Sequence, residues 1–277
     1  MTPSTFLAST LSSASTGTDV PFNLLHPGGQ VSQPLPLIVH LHGAMSSAAS
    51  LENARSAYEQ AWDHGALPPA LVVCASTPTV GGFYIDQPGG PAWERLVADE
   101  LPRHLAQRYP LSGMRAALGF SMGGYAALKL ALRPPHAFAA VAALCPAIFP
   151  AESADAVPEV NRPSVLGLLN QAMGDSPQAY RRNCVHSLAR DHAATLREAA
   201  PRLYIDCGTA DEFRLHDGAE HLHAVLTALR IPHQFRSVPG AGHADAHAAA
   251  RQAEALRFLG AALGAQGMEL SASARDR

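Results

Sequence analysis

Residues 118–132 read LGFSMGGYAALKLAL. An apolar run, MRAALGF (114–120), leads into Ser121, and an apolar run of helical composition leads away from it. Glycine is a poor helix former and loses much backbone entropy on folding, so Gly119, Gly123 and Gly124 around one serine need a reason. A strand-to-helix turn of the form G-x-S-x-G supplies it. The serine takes a strained conformation, the flanking glycines remove side chains that would clash, and the hydroxyl stands exposed over a helix N-terminus. The pattern predicts Ser121 as a nucleophile. The free N–H of Met122 and the helix dipole then favour negative charge developing on a bound substrate.

Outward from that turn, further apolar runs of strand length are PLIVHLH (36–42), ALVVCAS (70–76), FAAVAALC (138–145), RLYIDCG (202–208) and HQFRSV (233–238). They are near-continuous rather than alternating, as in strands buried on both faces. Helical patterns at 51–64, 92–108, 214–229 and 245–263 fall between them, with Ser50 as a candidate N-cap and Pro102 predicted to kink or break the second. Strands alternating with helices imply an α/β fold with a mostly parallel sheet covered on both faces. The Ser/Thr-rich start, with extended pieces at STFLAST and VPFNLLH, suits antiparallel edge strands. The expected organisation is one domain over 1–264, a helical insertion at about 150–200, and a disordered tail at 265–277.

A serine hydroxyl needs a base, an orienting acid and donors for the oxyanion. The segment YIDCGTADEF offers the acid: Asp206 falls inside a strand, whereas Asp211 lies just past its end, where catalytic loops gather. Asp211 is the choice, with Glu212 and Asp217 as rivals and a helix N-cap as its structural alternative. His243, in VPGAGHADAH, follows a strand and a flexible Pro-Gly-Ala-Gly, and is preferred as base over His247. In LIVHLHGAMSS the strand ends at His42-Gly43, which makes the N–H of Ala44 the second oxyanion donor.

The segments LHG, GFYID…WERLVADELPRHL, GFSMGG, IDCGTADEF and GAGH stand in an order that resembles the α/β-hydrolase superfamily. More narrowly, they are similar to the esterase family that includes esterase D, S-formylglutathione hydrolase and the antigen 85 mycolyltransferases. The resemblance spans about 35–262 apart from 150–200. It implies an α/β-hydrolase fold and a serine esterase acting through an acyl-enzyme on a small-molecule ester or thioester, with Ser121, Asp211 and His243 as triad and Ala44 and Met122 as oxyanion donors. The loop after Gly43 reads Ala-Met-Ser-Ser, without the cysteine usual there in S-formylglutathione hydrolases.

Three other readings use the same chain. Acyl transfer to an acceptor other than water needs no different residues. Metal catalysis could draw on His40 with His42, two apart on a strand, and His243 with His247, one helical turn apart, but no carboxylate-rich cluster accompanies them. A scaffold that has lost its chemistry would not need all three triad residue types. Neither a metal nor a cofactor is therefore expected.

With 20 Lys and Arg against 23 Asp and Glu the net charge is −3, and no basic surface points to nucleic acid. No apolar run approaches the roughly 18 residues that span a bilayer. The first twenty residues lack Lys, Arg and a long apolar core, so they do not read as a secretory signal, and a cytoplasmic location is expected. The four cysteines form no CxxC pair and read as buried free thiols. Phe83, Tyr84 and Phe149 are expected to edge the acyl pocket, and GGFYIDQPGG to move over it. Oligomeric state is left open, a homodimer included.

Overall fold

The computed structural model describes residues 3–29, 33–134, 138–162, 164–174 and 176–275. Eight strands form one sheet: β1 (Thr5–Ser13), β2 (Thr18–His26), β3 (Leu35–Leu41), β4 (Leu71–Ala75), β5 (Leu111–Phe120), β6 (Ala140–Leu144), β7 (Arg202–Gly208) and β8 (Gln234–Val238). Their order is β1-β2-β4-β3-β5-β6-β7-β8. β1 and β2 form the antiparallel edge expected of the N-terminus, and all pairs from β4 to β8 are parallel.

The near-continuous apolar strands follow from burial on both faces. Along β3, Leu37, Val39 and Leu41 enter one core and Ile38 the other; along β7, Leu203 and Ile205 face opposite Tyr204. Helix α1 (Ser50–Asp63) packs on the Ile38 side through Leu51, Ala54 and Tyr58. The opposite face is covered by a helical run of α2 (Trp93–Arg95), a π turn (Leu96–Glu100) and α3 (Leu101–Ala106), and by α4 (Met122–Leu132).

Pro102 explains the π turn. It has no N–H to give the carbonyl of Ala98, four residues back, and Leu101 N–H bonds five back to Leu96. The freed Ala98 carbonyl accepts Arg115 Nη1 at 2.8 Å. The helix is thus re-wound rather than broken, and a partner from β5 satisfies its open acceptor.

Between β6 and β7 the chain forms a 3-10 turn (Glu159–Asn161), α5 (Ser164–Ala172), α6 (Pro177–Asn183), α7 (Val185–Asp191) and α8 (Ala193–Ala199). Helix α9 (Leu215–Ala228) joins β7 to β8, and α10 (Ala248–Arg275) follows β8, packing Ala255, Leu256 and Leu259 beside α1.

Helix α10 runs on to Arg275, into the stretch expected as a tail, and residues 276–277 lie outside the described residues. Two expectations need correction. Ser50 does not cap α1; it is the helix's first residue, and its Oγ bonds His40 Nε2 at 3.0 Å. Phe83 and Tyr84 lie in the core at 1% exposure each rather than at a pocket rim, whereas Phe149, 3% exposed, lines a small cavity with Tyr125, Ile148 and Tyr180. All four cysteines are free and buried.

Candidate active site

At Ser121 the chain leaves β5 and enters α4 with φ 55° and ψ −114°, a region that side-chain-bearing residues rarely occupy. Backbone bonds hold the turn: Ser121 N–H donates to Leu144 O at 2.9 Å, and Ser121 O accepts from Tyr125 N–H at 3.0 Å and Ala147 N–H at 2.9 Å. A methyl group on Gly119 would stand 2.0 Å from Gly123 O, and one on Gly123 would stand 1.9 Å from Leu41 O. Both motif glycines are therefore demanded by backbone approaching backbone. Met122 N–H belongs to the first turn of α4, whose donors have no partner one turn earlier.

The loop after β3 runs against this turn. A methyl group at Gly43 would reach 3.7 Å from Ser121 Cβ and 3.3 Å from the Phe120 ring. Thr77 N–H donates to His42 Nε2 at 2.9 Å, so Nδ1 carries the ring proton and donates it to Gly43 O at 2.8 Å. Gly43 O and Ala44 N–H share one planar peptide unit and point opposite ways. Holding that carbonyl turns the Ala44 N–H away from the His42 ring. Tyr84 O–H donates to His42 O at 3.4 Å, and Lys129 Nζ donates to Tyr84 O at 3.0 Å. The Tyr84 loop, expected to be mobile, is pinned from two directions. Lys129 is the one charged residue of α4, 1% exposed, and pairs with Glu94 at 3.0 Å.

Asp211 lies three residues past the end of β7. Its Oδ2 meets His243 Nδ1 at 2.8 Å, while its Oδ1 accepts Phe213 N–H at 2.9 Å and Leu215 N–H at 3.4 Å. One carboxylate therefore makes both the turn-capping contact and the histidine contact. The His243 ring lies against Phe120 and Phe213, centroids 4.8 and 4.9 Å away, which sets it beside the residue preceding Ser121. Asp206, buried inside β7, is held by Arg251 of α10 and by Tyr204 O–H. Among the acid's rivals, Glu212 accepts the backbone N–H of His243 at 2.9 Å, and Asp217 pairs with Arg214 at 2.7 Å.

Burial works against charge on His243, but its bonds to Asp211 and Cys145 outweigh that and raise its pKa to about 9. Burial pushes Asp211 up, but the His243 bond prevails and holds it below the usual carboxylate range.

The histidines weighed as metal ligands are not brought together. His40 uses both ring nitrogens on Tyr58 O–H and Ser50 Oγ, each at 3.0 Å, and His42 is engaged as described. His247 bonds Asp245 at an exposed position. Among the described residues, Cys145, Cys207 and Asp211 bring metal-capable atoms within 4.8 Å of one another. Arg251 Nη2 donates to Cys145 Sγ there at 2.8 Å, which sets a fixed positive charge beside the three groups. Sequence reasoning missed Arg251, Cys145 and Lys129. Only Lys129 carried a local signal, as a lone charge in an apolar helix.

Residues 13–255 match the Esterase family, described as "Putative esterase", and the chain belongs to that family. It is 25% identical over 276 residues to an S-formylglutathione hydrolase of Paracoccus denitrificans, covering 91% of each chain. A ferulic acid esterase superposes with a TM-score of 0.76 at 21% identity, over 95% of this chain and 99% of that one. An S-formylglutathione hydrolase from Agrobacterium tumefaciens gives 0.73 at 20%, over 91% and 93%. The fold is that of the α/β-hydrolases, and the chain is an enzyme of the serine esterase class. Among the described residues no helix is long and apolar enough to cross a membrane.

Proposed function

We propose that this member of the esterase family hydrolyses small carboxylic esters through an acyl-enzyme on Ser121, with His243 as base, Asp211 as its orienting acid, and the N–H groups of Ala44 and Met122 as oxyanion donors. The observation that carries the reading is the 2.8 Å bond from His243 Nδ1 to a carboxylate beyond the end of β7. That bond fixes the imidazole tautomer and leaves Nε2 to take the serine proton. The hydroxyl oxygen then attacks the ester carbonyl, and negative charge forms on the carbonyl oxygen near Ala44 and Met122 N–H. The imidazolium returns its proton to the departing alkoxide. Water, activated by the same imidazole, releases the acid and regenerates Ser121. Residues 1–264 act as one domain in this reading, with the helices between β6 and β7 as an insertion.

The strained backbone of Ser121 and the anchored Gly43 carbonyl both support it. Met45 and Val80, 83% and 71% exposed, present apolar surface on the loops beside Ala44 and suit an uncharged substrate group. The test is p-nitrophenyl ester hydrolysis by Ser121→Ala. The expected loss in kcat is on the order of 10⁴ to 10⁶ with the fold intact. A fluorophosphonate should label the wild type at Ser121, and a chelator should leave turnover unchanged. Near-normal turnover by folded Ser121→Ala, or activity lost to a chelator and restored by zinc, would remove the reading.

A further inference from the structure

We infer that Glu212 and Arg251 are positioning residues that clamp the backbone of His243 from both sides, so that the imidazole keeps one place relative to Ser121. The inference rests on the reading of His243 as base. His243 sits in the stretch between the end of β8 at Val238 and the start of α10 at Ala248, where no strand or helix ladder fixes the chain. Four successive backbone polar groups there are each met by a side chain. Gly242 N–H donates to Asp245 Oδ2 at 2.6 Å, and Gly242 O accepts Arg251 Nη1 at 3.2 Å. His243 N–H donates to Glu212 Oε2 at 2.9 Å, and His243 O accepts the Cys145 thiol at 3.6 Å.

Gly242 O and His243 N–H belong to one planar peptide, so Arg251 and Glu212 grip the two ends of the same unit. Both bonds involve an ionised group and belong to the stronger class of hydrogen bond. Arg251 is itself fixed: it is 3% exposed, ion-paired with buried Asp206 of β7, and bonded to Cys145 after β6. Glu212 follows Asp211 directly. The consecutive carboxylates divide the work, Asp211 holding the ring of His243 and Glu212 its main chain, both from the turn after β7. Glu212 is exposed and lies outside the core, so its removal frees the peptide at little expense to the fold.

Glu212→Ala and Glu212→Gln test this with wild-type enzyme beside them. A base displaced by about 1 Å can lose on the order of 10² in rate, so Glu212→Ala should lower kcat about 10- to 100-fold with KM nearly unchanged. Fluorophosphonate labelling of Ser121 should slow by the same factor, while the thermal midpoint stays near wild type. Glu212→Gln keeps an oxygen acceptor at the same reach and should recover most of the loss. Arg251→Lys keeps a cation for Asp206 without the planar fork and should show the same kcat signature. Wild-type kcat in Glu212→Ala, equal impairment of Ala and Gln, or a change confined to KM would overturn the clamp. His243→Ala separates the two levels. If it is inactive while Glu212→Ala is normal, the clamp fails and the base assignment stands; if it is active, the base assignment itself fails.

Discussion

Replacing Gly123 by alanine should damage catalysis far more than stability. The added methyl would stand 1.9 Å from Leu41 O, 2.4 Å from Leu41 C and 2.9 Å from His42 O. An ordinary C···O approach is about 3.3 Å, so the first contact is roughly 1.4 Å short. All three atoms are backbone, and no side chain can swing aside. Either the end of β3 or the first turn of α4 must retreat, and these carry Gly43-Ala44 and Ser121-Met122. Overpacking of this kind costs about 1–3 kcal/mol. Alanine returns about 0.5–1 kcal/mol of helix propensity against glycine. The net destabilisation should therefore be at most about 2.5 kcal/mol, read as a shift in the urea midpoint. Under the proposed function, separating Ser121 from the proposed oxyanion donor Ala44 by about 1 Å should lower kcat on the order of 10². Gly124→Ala is the control, since its methyl would meet Leu144 O and Pro146 Cα at 3.0 Å, only a few tenths short. Equal stability and equal p-nitrophenyl acetate turnover in the two variants would show that the close approach at Gly123 is not what demands glycine.

The pH profile should follow His243, whose pKa is raised to about 9 by Asp211 and Cys145 against the opposing effect of burial. As the proposed base, His243 must be neutral, so kcat/KM should rise with pH along a limb centred above the ordinary 6.5, and Asp211→Asn, at the proposed orienting acid, should move that limb to lower pH while cutting kcat on the order of 10⁴. The same raised pKa adds stability below the unfolded value and loses it as pH climbs through the folded one, which denaturant midpoints at pH 6 and 9.5 would reveal. Lys129→Met removes the Nζ that meets Glu94, Tyr84 O and Asn183 Oδ1, while Arg133 still pairs with Glu94 at 2.8 Å, so the cost should be that of charge-assisted hydrogen bonds, about 1.5–3 kcal/mol; an unchanged midpoint would refute that.

The strands were legible because each of the central ones is buried on both faces and reads as an apolar run: RLYIDCG and β7 coincide at 202–208, and PLIVHLH lies within one residue of β3. The end of β7 at Gly208 also separated Asp206, inside the sheet, from Asp211 beyond it, and Asp211 is the one that meets His243. Phe83 and Tyr84 were misread because two aromatics beside glycines look like a mobile rim. Both instead take positive φ, 51° and 53°, and turn their rings into the core. Arg251 left no trace at all. Its contacts with Asp206, Gly242 and Cys145 span 45, 9 and 106 residues, and no local period or motif encodes a partner at such separations.

Two buried ion pairs each hold a loop carbonyl, and their placement is more informative than their presence. Lys129–Glu94 holds the Tyr84 carbonyl, and the Tyr84 hydroxyl in turn reaches the carbonyl of His42 at the root of the Gly43-Ala44 loop. Arg251–Asp206 holds the Gly242 carbonyl at the root of His243. A buried pair is weak evidence for stability, since apolar residues of similar volume often serve as well. An apolar replacement, however, could offer no donor to a loop carbonyl. Each cation here has hydrogens beyond those its carboxylate takes, and it gives one to the backbone of a loop that must stay in place. The charge fixes the cation from the core side, and the remaining N–H groups pass that fixity outward. This accounts for side chains that burial alone would disfavour lying under the two loops on which catalysis at Ser121 would depend.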